Sequence, residues 1–198
     1  MIEEITPGEF LKTNRERYFR TGRKSLTEDQ VKTLLSKITD IRDLALFEIA
    51  ITTGIRRGDI VKIRTEDFNP ETGALSFYEA KKGRIHRVFL PEKVMNTVKM
   101  VINVNSRGNY IFEAHDPDKP ISSKTAYNLF QRYLERAGLD KRPFHSLRAT
   151  CIKLCQKRGW KPEETAELVG DSLKVIQEHY TIPSMDEMKA VTKDKAIL

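Results

Sequence analysis

The sequence predicts a mainly α domain with a small antiparallel β-sheet (α+β). Three observations carry that expectation. Apolar residues recur at three- and four-residue spacing along most of the chain. One stretch, near residues 73–90, switches to a two-residue period. No doubly wound alternation of strands and helices and no glycine-rich phosphate loop is present, which argues against a nucleotide-driven enzyme.

Residues 1–24 read as an arm or a short helix. From Ser25 the pattern becomes regular. Thr27 and Gln30 form a capping box ahead of Val31, Leu34, Leu35 and Ile38 at helical spacing. A second helix is expected from about Ile41 to Thr52, burying Leu44, Ala45, Phe47, Ala50 and Ile51, with Gly54 as its stop. IRRGDIVKI opens as a loop and enters a short helix near Asp59. ALSFYEA and RIHRVFL read as two strands joined through Lys81, Lys82, Gly83 and Arg84. Pro91 opens a helix to about Val101, since proline suits a first helical turn. Asn105 to Asn109 is a loop, and Tyr110, Ile111 and Phe112 a short buried stretch. SKTAYNLFQRYLERAG is strongly amphipathic, with Ala126, Leu129, Phe130, Tyr133, Leu134 and Ala137 inside and Gly138 ending it. Beyond Arg142-Pro143, one helix holds His145, Arg148, Cys151 and Cys155 and runs to Gly159. Another runs from Pro162 to Gly170, and a third, capped by Ser172, reaches Tyr180. Pro183 breaks it, and SMDEMKAVTKDKA reads as a last, detached helix.

The 198 residues suit one domain with short arms, and a hydrophobic share of 39% is enough for a core. No apolar stretch is long enough to span a membrane, and the start MIEEITPGEF is unlike a secretion signal, so a soluble, cytoplasmic protein is expected. Lys and Arg outnumber Asp and Glu by 35 to 28, a balance of +7 that favours polyanionic partners. The placement says more than the total. Lys12, Arg15, Arg17, Arg20, Arg23 and Lys24 crowd one short segment, which is either a solvated face or a nucleic-acid contact. Cys151 and Cys155, four apart and without a second Cys/His pair, are expected to be free core thiols rather than zinc ligands.

Breaking a phosphodiester without metal or nucleotide demands particular side chains. A nucleophile must bond to phosphorus, cations must neutralise the non-bridging oxygens, and the leaving 5′ oxygen needs a proton. Arginine suits the second task through its planar fork. Lysine suits the third, since its pKa shifts readily. Tyrosine serves as nucleophile only if activated, its free pKa being about 10. The chain offers these types in order: Thr53-Gly54-Ile55-Arg56-Arg57-Gly58-Asp59, the lysine turn at Lys81, His145-Ser146-Leu147-Arg148, Val169-Gly170-Asp171, and Tyr180 nine residues later.

In kind, order and spacing these motifs make the chain resemble the tyrosine recombinase (phage-type integrase) family across residues 25–182, that family's whole catalytic domain. The resemblance implies a tyrosine recombinase catalytic-domain fold and a site-specific recombinase acting on double-stranded DNA through a 3′-phosphotyrosine, without metal, cofactor or ATP. Carried over by position, Arg56 and Arg148 clamp the phosphate. Lys81, preferred over Lys82, is the general acid, and His145 exchanges a hydrogen bond or proton with Tyr180, the nucleophile. Asp59 either orients the arginines or is a helix N-terminal acid favoured by the dipole. Arg57 is a backbone phosphate contact or solvated. With Arg15, Arg17, Arg20, Arg23, Lys24, Lys82 and Arg84 it makes up the expected DNA-binding set. His86 and Arg87 are expected to face DNA or solvent, while His115 and His179 are expected to stay outside the chemistry.

Asp171 departs from the family, which usually places histidine or tryptophan there. An ionised aspartate cannot donate to a phosphate. Three consequences stand open: Asp171 turns away and orients Arg148 or His145, it is protonated, or the enzyme is slow or inactive. Two further expectations concern the ends. Either the chain is a fragment lacking an N-terminal DNA-clamp domain, or its basic arm 1–24 replaces that domain. The helix in 183–198 either packs on its own domain or passes to a neighbouring subunit in a homo-oligomer, a tetramer on DNA. The rivals to a recombinase or integrase of a virus or mobile element are a type IB topoisomerase-like relaxer and a DNA-binding accessory protein that has lost catalysis.

Overall fold

A computed structural model describes residues 25–104, 108–179, 189 and 192–193. The basic arm and most of the C-terminal segment lie outside these. The expectations for Arg15, Arg17, Arg20, Arg23, Lys24, the nucleophile position Tyr180 and the tail therefore fall on residues not described.

The predicted capping box starts α1 (Glu28–Ser36). Thr27 Oγ1 accepts from the Gln30 N–H at 3.2 Å, and the Gln30 side chain accepts from the Thr27 N–H at 3.0 Å. Next, α2 (Ile41–Thr53) begins at Asp40, whose carboxylate accepts the Asp43 N–H, and stops at Gly54 in the left-handed region, φ 66. This helix is the centre of the fold. Leu46, Phe47, Ile49 and Ala50 are wholly buried, because it is sandwiched between α4 (Glu92–Val104) and α6 (Ser146–Lys157). Phe47 lies 5.8 Å from the ring centroids of both Phe130 and Tyr133 and 6.2 Å from that of Phe144. Phe130 and Tyr133 belong to α5 (Ser123–Arg136), so one aromatic cluster joins helices distant in the chain.

Two acids of α2 are buried against the apolar pattern. Asp43 accepts from the Tyr133 hydroxyl at 3.0 Å and from Arg42 at 2.9 Å. Burial, with Asp43 beside it, pushes the Tyr133 phenol up to about 12. Glu48 pairs with Lys93 of α4 at 3.2 Å.

Among the described residues the sheet is one antiparallel hairpin, β1 (Ala74–Glu79) and β2 (Arg84–Phe89), in a register that sets Leu75 opposite Val88, Phe77 opposite His86 and Glu79 opposite Arg84. The two-residue period puts Leu75, Phe77 and Glu79 on the buried face, while Tyr78 and Ile85 stand out to solvent, 62% and 74% exposed. His86 corrects an expectation. It is buried, its ring 5.3 Å from that of Phe77, because its register position shares the inner face with Val88. Arg87, on the other face, is exposed and donates to Ser76 Oγ at 3.2 Å.

Between α2 and the hairpin lies α3 (Arg57–Ile60), packed on α5 and β1. Of the expected buried stretch, Ile111 and Phe112 are buried and Tyr110 is half-buried, with the Ile111 N–H donating to the Ile63 carbonyl at 3.1 Å. After α6 come α7 (Pro162–Val169), ending at Gly170, and α8 (Leu173–His179), where Ser172 Oγ accepts the Val175 N–H at 3.3 Å. Cys151 and Cys155 are free and buried, in a second small core with Ala166, Val169 and Ile176.

Candidate active site

Four backbone breaks bring the candidate residues together: the end of α2, the hairpin turn, the start of α6 and the loop between α7 and α8. At the first, Gly54 allows what no other residue would. Its φ is 66, and a Cβ there would sit 2.9 Å from Val169 Cγ1 and 3.4 Å from Arg148 Cγ. The chain can therefore turn sharply against α6 and α7. The Gly54 carbonyl accepts from Arg148 Nη1 at 2.7 Å, and Arg56 follows two residues later at the N-terminus of α3.

Arg56 and Arg148 converge on Asp171. Arg56 Nη2 donates to Asp171 Oδ1 at 2.8 Å. Arg148 Nη2 lies 2.6 Å from Asp171 Oδ2, a close ion pair that misses hydrogen-bond alignment. The carboxylate thus faces one arginine with each oxygen. Of the first possibility raised by the sequence, that Asp171 turns away and orients Arg148 or His145, the contact with Arg148 is present, but the carboxylate does not turn away: it bridges the two arginines. Arg148 is 3% exposed, and its Nε has no hydrogen-bond partner.

On the other side of Arg56 stands Glu79, a residue that the motif pattern did not single out. Arg56 Nη1 donates to Glu79 Oε1, and Arg84 Nε donates to Glu79 Oε2 at 3.1 Å. Glu79 is 1% exposed. Burial alone would raise its carboxyl; the hydrogen bonds from Arg56 and Arg84, with the charge of Lys82 nearby, outweigh it and hold the group below its ordinary value. A signal for Glu79 does exist in the sequence: an acid continues the inward-facing series of Leu75 and Phe77. His86 Nδ1 is 4.0 Å from Glu79 Oε2, and burial lowers the imidazole's pKa.

The remaining candidates sit around this cluster. Lys81 and Lys82 are both exposed in the turn that closes the hairpin, where the Lys82 and Gly83 N–H groups donate to the Glu79 carbonyl. His145 is the exposed N-cap of α6, one helical turn before Arg148. Asp59, in the first turn of α3, accepts from the Ala80 N–H at 3.3 Å, so it ties α3 to the hairpin turn. Arg57 stacks on the Tyr127 ring, 5.6 Å from its centroid, an arrangement neither sequence expectation included. Arg84, expected as a DNA contact, has its Nε committed to Glu79. His115 is exposed in the loop following Phe112. The His179 side chain lies outside what is described. Among the described residues no group of three or more His, Cys, Asp or Glu is placed to hold a metal ion, and no helix is long and apolar enough to cross a membrane.

A family model described as the phage integrase family matches residues 24–187. The chain belongs to that family. Among phage integrase relatives, the tyrosine recombinase XerA of Pyrococcus furiosus is 27% identical over 184 residues, 90% of this chain and 64% of that protein. The tyrosine recombinase XerA of Saccharolobus solfataricus is 22% identical over 166 residues, covering 84% of this chain and 54% of that one. The chain thus spans less than two thirds of the length of these curated relatives. The integrase fold is equally plain in solved structures. A crystal structure of XerA recombinase superposes with a TM-score of 0.78 at 16% identity, over 98% of this chain and 85% of that one. XerH site-specific recombinase, solved on its difH substrate before cleavage, gives 0.69 at 19% identity, over 88% and 55%.

Proposed function

We propose that this chain is the catalytic part of a site-specific recombinase that cleaves and rejoins double-stranded DNA through a 3′-phosphotyrosine. The observation that carries the proposal is the meeting of Arg56 and Arg148 at a single anion, Asp171. Two guanidinium groups that share a carboxylate are spaced to share a phosphate. In the reaction, the Tyr180 oxygen bonds to phosphorus as the bond to the 5′ oxygen breaks. The two arginines balance the charge on the non-bridging oxygens. A turn lysine, Lys81 or its neighbour Lys82, gives the 5′ oxygen its proton, and His145 takes the phenol's hydrogen bond or proton. The link keeps the energy of the broken bond, and a 5′ hydroxyl from the partner duplex reverses the step. Exchange between duplexes calls for several protomers, a tetramer on two sites, with the basic arm 1–24, half-buried Arg57 and exposed Lys82 tracking the backbone.

The test is a nicked suicide duplex, from which the short 5′ product diffuses away. Wild-type protein is expected to accumulate a covalent protein–DNA adduct, and Tyr180→Phe none. Specific binding without any wild-type adduct would sink the enzyme and leave an accessory DNA-binding protein. That second reading has one observation in its favour: the carboxylate of Asp171 occupies the place between the arginines.

Asp171 gives a prediction of its own. A phosphate that enters the clamp meets a like charge there, whereas histidine donates a hydrogen bond. Asp171→His is expected to raise the single-turnover cleavage rate about tenfold, the worth of roughly one hydrogen bond to a charged group. A tenfold fall would instead show that the aspartate's grip on both arginines matters more than its charge costs.

A further inference from the structure

Glu79 is the point at which three of the motif segments meet. Its Oε1 accepts from Arg56 of the α2–α3 loop. Its Oε2 accepts from Arg84 at 3.1 Å, the residue directly opposite it in the hairpin register and the last pair before the lysine turn. Its backbone carbonyl accepts from Lys82 and Gly83 at 3.0 and 2.9 Å. Above it lies Gly170, whose φ is 67 and where a Cβ would stand 2.9 Å from Glu79 Oε1. The Asp171 loop can rest on this carboxylate only because residue 170 has no side chain.

A buried anion is costly unless its hydrogen bonds are complete. Glu79 is 1% exposed, and both its oxygens are engaged by arginines. A glutamate that only anchored the hairpin would need Arg84 alone. The second bond goes to Arg56 on the edge opposite Asp171, and two acceptors on two different Nη atoms fix the plane of a guanidinium.

We propose that Glu79 is the positioning residue of the phosphate clamp: it sets the plane of Arg56 and ties that plane to the turn carrying Lys81 and Lys82. The proposal rests on the recombinase reading above for its catalytic consequence, though not for its structural one. Glu79 touches no DNA itself. Losing it lets Arg56 rotate about its side-chain bonds, and a misaimed donor in such a site costs about as much as a missing one, on the order of 10²-fold in rate.

Two readouts test this on the 198-residue chain. The first is single-turnover cleavage of the nicked duplex at saturating DNA. Glu79→Gln is expected to cleave ~10²-fold more slowly, with DNA affinity within about a factor of three, since the backbone phosphate contacts remain. The second is the side-chain nitrogen NMR spectrum of the arginines without DNA. Arg56 is expected to show restricted guanidinium rotation in wild type and free rotation in Glu79→Gln. A merely structural glutamate would lower the melting temperature and leave both readouts of the folded fraction unmoved, which would overturn the proposal. Glu79→Asp keeps the charge and shortens the reach by one methylene; it is expected to fold and to share the cleavage defect, and full activity in it counts against the proposal. Failure of both variants to fold would also reject it, in favour of a purely structural anion. Absence of a wild-type adduct would count against the recombinase reading, and the Arg56 spectrum would still decide the role of Glu79.

Discussion

Arg148→Lys is expected to lower adduct formation on a nicked duplex ~10²–10³-fold, the range for removing one preorganised donor from a transition state, while the protein stays folded. The reason is the number of tasks this one side chain performs. Nη1 holds the Gly54 carbonyl at 2.7 Å, Nη2 lies 2.6 Å from Asp171 on the edge that a phosphate would share, and Nε is buried without a hydrogen-bond partner. An ammonium group is a single point of charge and cannot reach a carbonyl, a carboxylate and a phosphate from one planar frame. Arg148 is also 3% exposed, so no water replaces the bond lost at Gly54. Single-turnover kinetics and DNA affinity, measured together, check this. A wild-type rate in the lysine variant would mean that Arg148 serves the core and not the phosphate. The same outcome would weaken the case for Arg56, because the two share Asp171.

Phe47→Ala is expected to cost roughly 3–5 kcal/mol of stability, the range for a large aromatic truncated in a core. Typical domains have only about 5–15 kcal/mol in total, so the variant should sit near its unfolding transition at moderate temperature. Phe47 is 0% exposed and touches rings from α5 and from Phe144, just ahead of α6. Truncation leaves a cavity where helices distant in sequence meet, and close-packed neighbours refill it only in part. Denaturant unfolding, read as a lower midpoint at unchanged slope, is the measurement. A loss under about 1 kcal/mol would place the site among those whose surroundings can collapse to fill the gap.

Much of the fold was legible because it depends on local rules. The capping box at Thr27 and Gln30, the stop at Gly54 and the start at Pro162 follow from residues close together in the chain, and the hairpin of residues 74–89 from the alternation along two neighbouring strands. The helix after Pro91 runs to Val104 rather than about Val101, since its last turn adds half-buried Ile102 packed on the core. His86 departs from its expected place for a related reason. Its polar character suggested solvent, but its place in the two-residue period put it inward, and the period prevailed.

Family membership was also legible, since ordered motifs far apart in the chain are a one-dimensional pattern. The sequence by itself determined the α+β class, the element order and the set of residue types able to handle a phosphate, all of which rest on periodicity, caps and spacing. Only the tertiary structure decided that Asp171 bridges Arg56 and Arg148, and that buried Glu79 holds Arg56 from the other side. The physical reason is that a charge finds its partner through the path of the whole chain. Asp171 meets Arg56 across 115 positions because α2 ends on a glycine against α6 and α7, and no local rule encodes that meeting.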